Sequence, residues 1–313
     1  MDALQDRFAG ALLGLACGDA VGTTLEFSPR GSFQPITDMV GGGPFKLAPG
    51  QWTDDTSMAL CLAESLAEKE GFDPADQMTR YLNWWHWGYL SSTGNCFDIG
   101  STVRSALTRF QDSGEPYSGS TDPWSAGNGS LMRLAPVVLF AYGSPDKLAA
   151  LAAQSSRTTH GAAESIECCQ LFAQLIRLAL SGCPKNSLLR SISGIWHQDK
   201  VKQLATGDFI SKPDSAIKGS GYCVESLEAA LWCFFNTDSY PEAILAAANL
   251  GDDADTTAAI SGQMAGAFYG AAGIPAQWRE KLTMREDIEH LATRLYQLGT
   301  ARNKASIEAT SNE

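Results

Sequence analysis

Asn249-Leu250-Gly251-Asp252-Asp253-Ala254-Asp255-Thr256-Thr257 places three carboxylates and two hydroxyls within six residues, at the head of a long run of small residues that reads as a helix. Hard divalent cations take oxygen ligands, and one short cluster cannot fill an octahedral shell, so a second oxygen-rich cluster is expected elsewhere in the chain. Gln51-Trp52-Thr53-Asp54-Asp55-Thr56 supplies it, again with paired Asp flanked by Thr where a helix begins. The competing explanation is helix capping, because Asp and Thr satisfy orphan N–H groups and suit the positive end of the helix dipole. One acid per helix start would serve that purpose. Two or three at each of two starts, with no basic neighbour in sequence, ask for a cation.

The helix at the other end of the chain carries a related device. Gly10, Gly14, Gly18 and Gly22 recur every four residues within the helix predicted over 4–21 and just beyond it, and Gly262, Gly266 and Gly270 repeat the spacing after the acidic cluster. Interior helical Gly is destabilising, so two bare stripes in register predict that these helices pack closely and bring Asp19 and the loop after it toward Asp253. That loop holds Glu26 among apolar neighbours, where burial would raise its pKa or set it against a metal. Further helices are predicted over 56–68, 74–87, 145–156, 161–181, 224–235, 240–250, 254–272 and 285–298, and no segment sustains strand alternation. The chain reads as all-α, one compact domain over 1–302 with a polar tail over 303–313.

Other stretches offer weaker signals. Gly41-Gly42-Gly43-Pro44 and Pro49-Gly50 mark a flexible loop leading into the first acidic cluster and able to cover a site. Asp98, at a Gly-flanked helix start, is either a cap or a catalytic acid. Gly127-Asn128-Gly129-Ser130, read as a turn opening a helix, is a ready anion site because its N–H groups are unobstructed. His160 stands in a loop, as a cap or as a ligand contact. Trp84, Trp85 and Trp87 crowd one helix end and read as core.

Whole-chain properties narrow the function. The 313 residues are 44% hydrophobic, enough for a large core, and the net charge of −12 argues against a nucleic-acid surface. Eight Cys without CxxC pairs or zinc spacing read as reduced buried thiols, and Asp2 and Asp6 against a single Arg7 precede the apolar stretch from Phe8 to Cys17, unlike the basic start of a secretory leader. Asp255, Thr256, Thr257, Ser261 and Gln263 make the small-residue run a buried helix rather than a membrane span. A cytoplasmic protein without a membrane or nucleic-acid partner is expected.

Taken together, Gly10 to Ala20, Glu26, Trp52 to Thr56, Phe97-Asp98-Ile99-Gly100, Gly127 to Arg133, Thr159-His160 and Gly251 to Thr256 resemble, in order, the motifs of the ADP-ribosylglycohydrolase family. The resemblance runs from about residue 6 to residue 298, and the Phe-Asp-Ile-Gly element is most similar to the dinitrogenase reductase-activating branch. It implies an orthogonal all-helical fold with a binuclear centre of Mg2+ or Mn2+. The implied reaction cleaves the N-glycosidic bond between ADP-ribose and arginine on an ADP-ribosylated protein, releasing ADP-ribose. By motif, Thr53, Asp54, Asp55, Asp253, Asp255 and Thr256 would be metal ligands, Asp98 the general base and Glu26 its partner carboxylate. Gly127, Asn128, Gly129 and Ser130 would cradle the diphosphate, with His160 and Tyr222 lining the cleft. Asp252 stands where the family often has Gly. Serine-linked, polymeric or O-acyl ADP-ribose are alternative substrates, and a non-catalytic ADP-ribose-binding relative is the alternative to an enzyme. An Asp-rich prenyl diphosphate enzyme is disfavoured by the Gly-Asn-Gly-Ser loop.

Overall fold

The computed structural model describes residues 2–310, with 302–310 described by backbone course alone. Helices joined by loops and short 3-10 turns make up the described residues. They are α1 Ala3–Gly22, α2 Asp54–Lys69, α3 Pro74–Trp87, α4 Ser101–Ser113, α5 Ala135–Ala141, α6 Pro145–Thr159 and α7 Ala163–Leu180. After these come α8 Asp199–Thr206, α9 Cys223–Phe235, α10 Tyr240–Ala248, α11 Ala254–Tyr269, α12 Ala276–Lys281 and α13 Arg285–Thr310. Extended pairing among the described residues is confined to isolated bridges, so the all-α expectation holds.

The centre is the pair α1 and α11, each buried on every side over most of its length. A methyl group on Gly10, Gly14, Gly18 or Gly22 would collide with the backbone of Gly266, Gly262, Ala258 or Ala254 respectively. These partners run in opposite directions, which makes the helices antiparallel with backbones in direct contact, as the two stripes predict. The remaining helices form a shell: α7, α9 and α10 pack on α11, while α2, α5 and α13 pack on α1. Although α1 is long and apolar enough to cross a membrane by composition, 94% of that stretch is buried inside the fold.

Several boundaries differ from expectation for local reasons. No helix opens at Ser130; residues 129–133 are a turn and α5 starts at Ala135. Its seven residues are all buried, so they carry no amphipathic period to find. The short α8 and α12 escaped notice likewise, whereas α4 begins at Ser101, three residues beyond Asp98. Of the three tryptophans, Trp84 is core but Trp87 is 78% exposed. The boundary set at 302 falls inside α13, and the tail's side chains and residues 311–313 lie outside the described residues. The Gly-rich segment over 41–47 is a pinned turn: Gly42 and Leu47 exchange backbone hydrogen bonds of 2.7 and 2.9 Å, and Thr24 Oγ1 donates to the Gly41 carbonyl at 3.0 Å.

Because a Cβ on Gly14 or Gly262 first meets the opposing helix backbone rather than a movable side chain, Gly14→Ala and Gly262→Ala should lower stability despite alanine's better helix propensity. The expected loss is about 1–3 kcal/mol by urea unfolding, the cost of overpacking a close-packed core.

Candidate metal centre and active site

The C-terminal end of α1 and the N-terminal ends of α2 and α11 meet at one place, and the acids gather there. None of the predicted ligands caps its own helix. Thr53 and Asp253 occupy the cap positions of α2 and α11, yet neither side chain makes a capping hydrogen bond. The first turn of α2 is capped instead across the fold by Asp19. Its Oδ1 accepts from Thr53 N at 2.9 Å and Thr53 Oγ1 at 3.0 Å, and its Oδ2 accepts from Thr56 N at 3.0 Å and Thr56 Oγ1 at 2.6 Å. Sequence reasoning did not rank Asp19 among the site residues. A lone carboxylate in the Gly/Ala stripe of a buried helix was the available signal.

With capping done by Asp19, Asp55 and Asp255 are left for something else. Both are fully buried, and Asp55 Oδ1, Asp255 Oδ1 and Glu26 Oε2 have no hydrogen-bond partner among the described residues. Thr53 Oγ1 lies 3.0 Å from Asp19 Oδ1, 3.0 Å from Asp55 Oδ2 and 3.2 Å from Asp255 Oδ2, with one proton to share among three carboxylates. Two acid triads result, Asp19–Asp55–Asp255 and Glu26–Asp98–Asp255, each with carboxylate oxygens within 4.8 Å of one another and sharing Asp255. Burial first, then mutual repulsion, holds the carboxyls of Asp54, Asp55 and Asp255 well above the usual range. Hard oxygen donors, unpaired and self-repelling, fit a divalent cation. Of the predicted ligands, Asp54 and Thr256 face the cleft beside Asp253, while Thr53, Asp55 and Asp255 form the floor beneath them.

That cleft, of about 560 Å3, is walled by Glu26, Asp98, the start of α4 and the Gly127–Gly129 backbone. Asp98 does not cap α4: Gly100 does, without a side-chain hydrogen bond, and Asp98 takes a left-handed φ of +60°. Burial pushes Glu26 up to about 10 and Asp98 up to about 7, and an interaction between the two carboxyls raises the first while lowering the second. Near neutral pH, Glu26 therefore keeps its proton where Asp98 is partly ionised. Asp252 is exposed and lies outside this group. Its φ of +56° explains why glycine suits the position, and its backbone pairs with the α1 loop, Phe27 N donating to Asp252 O at 2.7 Å and Asp252 N to Ser28 O at 2.8 Å.

The Gly-rich turn is clamped from beneath. Buried Arg133 donates to Gly129 O at 2.7 Å and to Thr159 Oγ1 at 2.7 Å, and Gln263 of α11 accepts from Ala135 N at 2.7 Å while donating to Leu131 O and Met132 O. Asn128 does not offer its amide to an anion. Its Nδ2 donates to Asp253 Oδ2 at 2.7 Å and to Ser226 Oγ at 3.1 Å, tying the turn to the acidic centre. Ser130 likewise turns its hydroxyl inward, to Ser156 Oγ at 2.9 Å. What remains for an anion is backbone, since the Gly129 and Ser130 N–H groups find no acceptor among the described residues. His160 lies under the turn, so close that a Cβ on Gly129 would come within 2.7 Å of its Cε1. Burial, then the Arg133 charge, lowers its pKa to about 3, and the ring is neutral. Tyr222 stands in an adjoining recess of about 720 Å3 opposite Trp124, its hydroxyl donating to Glu164 Oε2 at 2.5 Å.

These shifts have a measurable sign. Carboxyls whose folded pKa lies above the unfolded value of about 4 keep protons that the unfolded chain has lost, so metal-free stability falls as pH rises. The opposing contribution of His160 ends below about pH 6.5, its unfolded value. In EDTA, the melting temperature should therefore drop between pH 6.5 and 8, and Mg2+ or Mn2+ should raise it more at pH 8 than at pH 6.5. Thermal melts by circular dichroism, in which a metal-free rise with pH contradicts the reading, check this.

The comparisons with known proteins agree with this geometry. The family model described as ADP-ribosylglycohydrolase matches residues 1–305. The ADP-ribosylarginine hydrolase Tri1 of Pseudomonas putida (strain GB-1) is 46% identical over 292 residues, covering 93% of this chain and 78% of that protein. The ADP-ribosyl-dinitrogen reductase glycohydrolase of Rhodospirillum rubrum is 34% identical over 293 residues, covering 91% and 93%. The branch expected from Phe97 to Gly100 is thus among the relatives, though identity to the Tri1 protein is higher. A solved structure described as an ADP-ribosylglycohydrolase-related protein complex shares the fold with a TM-score of 0.85 at 45% identity, covering 96% of this chain and 100% of that one. On its fold, its acidic centre and these likenesses, the chain belongs to the ADP-ribosylglycohydrolase family.

Proposed function

We propose that this protein is a hydrolase that removes ADP-ribose from arginine side chains of ADP-ribosylated proteins by cleaving the N-glycosidic bond. The observation that carries the reading is the convergence of acids from three helix ends, where Asp19 does the capping and Asp55 and Asp255 are left buried without it, at the floor of a cleft edged by a Gly-rich turn. Relatives at 46% and 34% identity that bear ADP-ribosylarginine hydrolase and ADP-ribosyl-dinitrogen reductase glycohydrolase names support the substrate class.

Each part of the cleft has a task in that reaction. The Gly129 and Ser130 N–H groups and the neutral floor of His160 receive the diphosphate, which an acidic chain of net charge −12 would otherwise repel. Tyr222 borders the recess into which the rest of the nucleotide extends. A pair of Mg2+ or Mn2+ ions, held by Asp54, Asp55, Asp253, Asp255, Thr53 and Thr256 with Asp19 and Glu26 alongside, would supply the positive charge that holds the ribose hydroxyls and offsets the carboxylates. Hydrolysis passes through an oxocarbenium-like state. Asp98 takes a proton from the attacking water, whose oxygen bonds to the anomeric carbon. The C–N electron pair leaves with the guanidine nitrogen, and Glu26, whose carboxyl burial and the neighbouring Asp98 push upward, is placed to return a proton to it. The eight free thiols favour a reducing compartment, so we place the reaction in the cytoplasm.

The test is release of free ADP-ribose from arginine-ADP-ribosylated protein, with serine-linked substrate alongside, in Mg2+ and after EDTA. Release from arginine alone, abolished by EDTA, is expected; release from serine alone would reassign the linkage. Asp98→Asn should retain ADP-ribose binding by calorimetry and lose about 10²–10⁴-fold in kcat, the range for general acid–base catalysis. An active Asp98→Asn would move the base role to Glu26.

A further inference from the structure

Three phenylalanines from three separate loops form a row of ring contacts that begins at the cleft, where Phe27 stands among the lining residues with Glu26 and Asp98. The Phe27 and Phe45 rings are 6.4 Å apart and the Phe45 and Phe97 rings 5.1 Å apart. Phe27 follows Glu26 and lines the cleft; Phe97 precedes Asp98. Phe27 is 65% exposed and has a φ of +58°, a left-handed backbone that a bulky residue rarely adopts. An exposed aromatic ring held in a disfavoured conformation costs stability twice, and such outliers concentrate where a ligand is handled. The positions are enforced rather than accidental. The Phe27 backbone is tied to Asp252, beside the acidic cluster, and Phe45 sits in the turn that Gly42 and Leu47 close against Thr24.

Resting on the arginine reading above, we propose that Phe27, Phe45 and Phe97 form an aromatic collar that receives the substrate's arginine side chain and sets the preference for a cationic leaving group. An alkylated guanidinium is flat, positively charged and weakly hydrated, so it stacks on aromatic faces while its N–H groups turn to carboxylates. Glu26 and Asp98 are sequence neighbours of two of the three rings and have no basic partner among the described ion pairs. A serine hydroxyl offers the collar neither charge nor plane. The rings are specificity-determining, not catalytic, and none of them lines the recess beside Tyr222.

The experiment uses the full chain with Mg2+ and compares KM for an arginine-ADP-ribosylated peptide with the Kd of free ADP-ribose. Phe45→Leu, Phe27→Leu and Phe97→Leu should each raise KM about 2- to 5-fold, the size of an exposed cation–π contact, leaving the ADP-ribose Kd unchanged; Phe45→Tyr should restore KM. Phe27→Gly separates recognition from folding. It relieves the left-handed backbone, so the melting temperature should hold or rise while KM still increases. Unchanged KM in the leucine variants, or an equal loss of ADP-ribose affinity, overturns the collar. So does failure of tyrosine to restore KM, which would instead mark an apolar docking surface. A wild-type protein that leaves arginine linkages intact overturns the functional reading itself, and the collar with it, before any variant is made.

Discussion

The backbone contact between α1 and α11 is the constraint on which the rest of this structure depends. Two helices at ordinary spacing keep their axes about 8–10 Å apart through side chains. Here Gly10, Gly14, Gly18 and Gly22 oppose Gly266, Gly262, Ala258 and Ala254, and no side chain intervenes. Each interior Gly costs about 0.5–1 kcal/mol of helix stability relative to Ala, and the continuous burial of both helices is what offsets it. The register has a chemical consequence. It brings the last turn of α1 against the first turn of α11, so Asp19 and Asp255 meet on the floor of the cleft.

At that point one carboxylate is spent on architecture and the others are withheld from it. Asp19 accepts four hydrogen bonds from Thr53 and Thr56, which is what a capping acid does, but from another helix. Asp55 and Asp255 each keep a buried oxygen with no hydrogen-bond partner among the described residues. A fold selected for stability alone would pair or remove them, because buried unpaired carboxylates oppose folding once ionised. Hard oxygen donors kept in this way fit a site able to hold a divalent cation.

Backbone strain follows the same pattern. Phe27, Asp98 and Asp252 all occupy left-handed conformations, and all three border the acidic centre. The strain is sustained by hydrogen bonds and packing around it: the Phe27–Asp252 pairing, the Gly42–Leu47 turn, and the Arg133 and Gln263 clamps under the Gly-rich turn. A rigid frame made of helix ends thus carries loops that hold functional side chains at the cleft.

The amino-acid sequence by itself determined the long helices, through apolar period and Gly/Pro punctuation, with α3 matching its expected span of 74–87, while the short α8 and α12 left no such signal. It determined the chemical type of the site, because Asp and Thr clusters at two helix starts leave few uses besides capping and cation binding. The Gly stripes even announced which two helices touch. Only the tertiary structure showed that these acids do not cap their own helices, since the same Asp can cap or not and the choice rests on what lies across the fold. Asp19 went unranked for that reason, and the inward hydrogen bonds of the Asn128 and Ser130 side chains could not be read from the Gly-rich turn alone. The meeting of Phe27, Phe45 and Phe97 was equally invisible. Local sequence encodes torsions and faces, but contacts between residues far apart in the chain exist only once α1 and α11 have closed on each other.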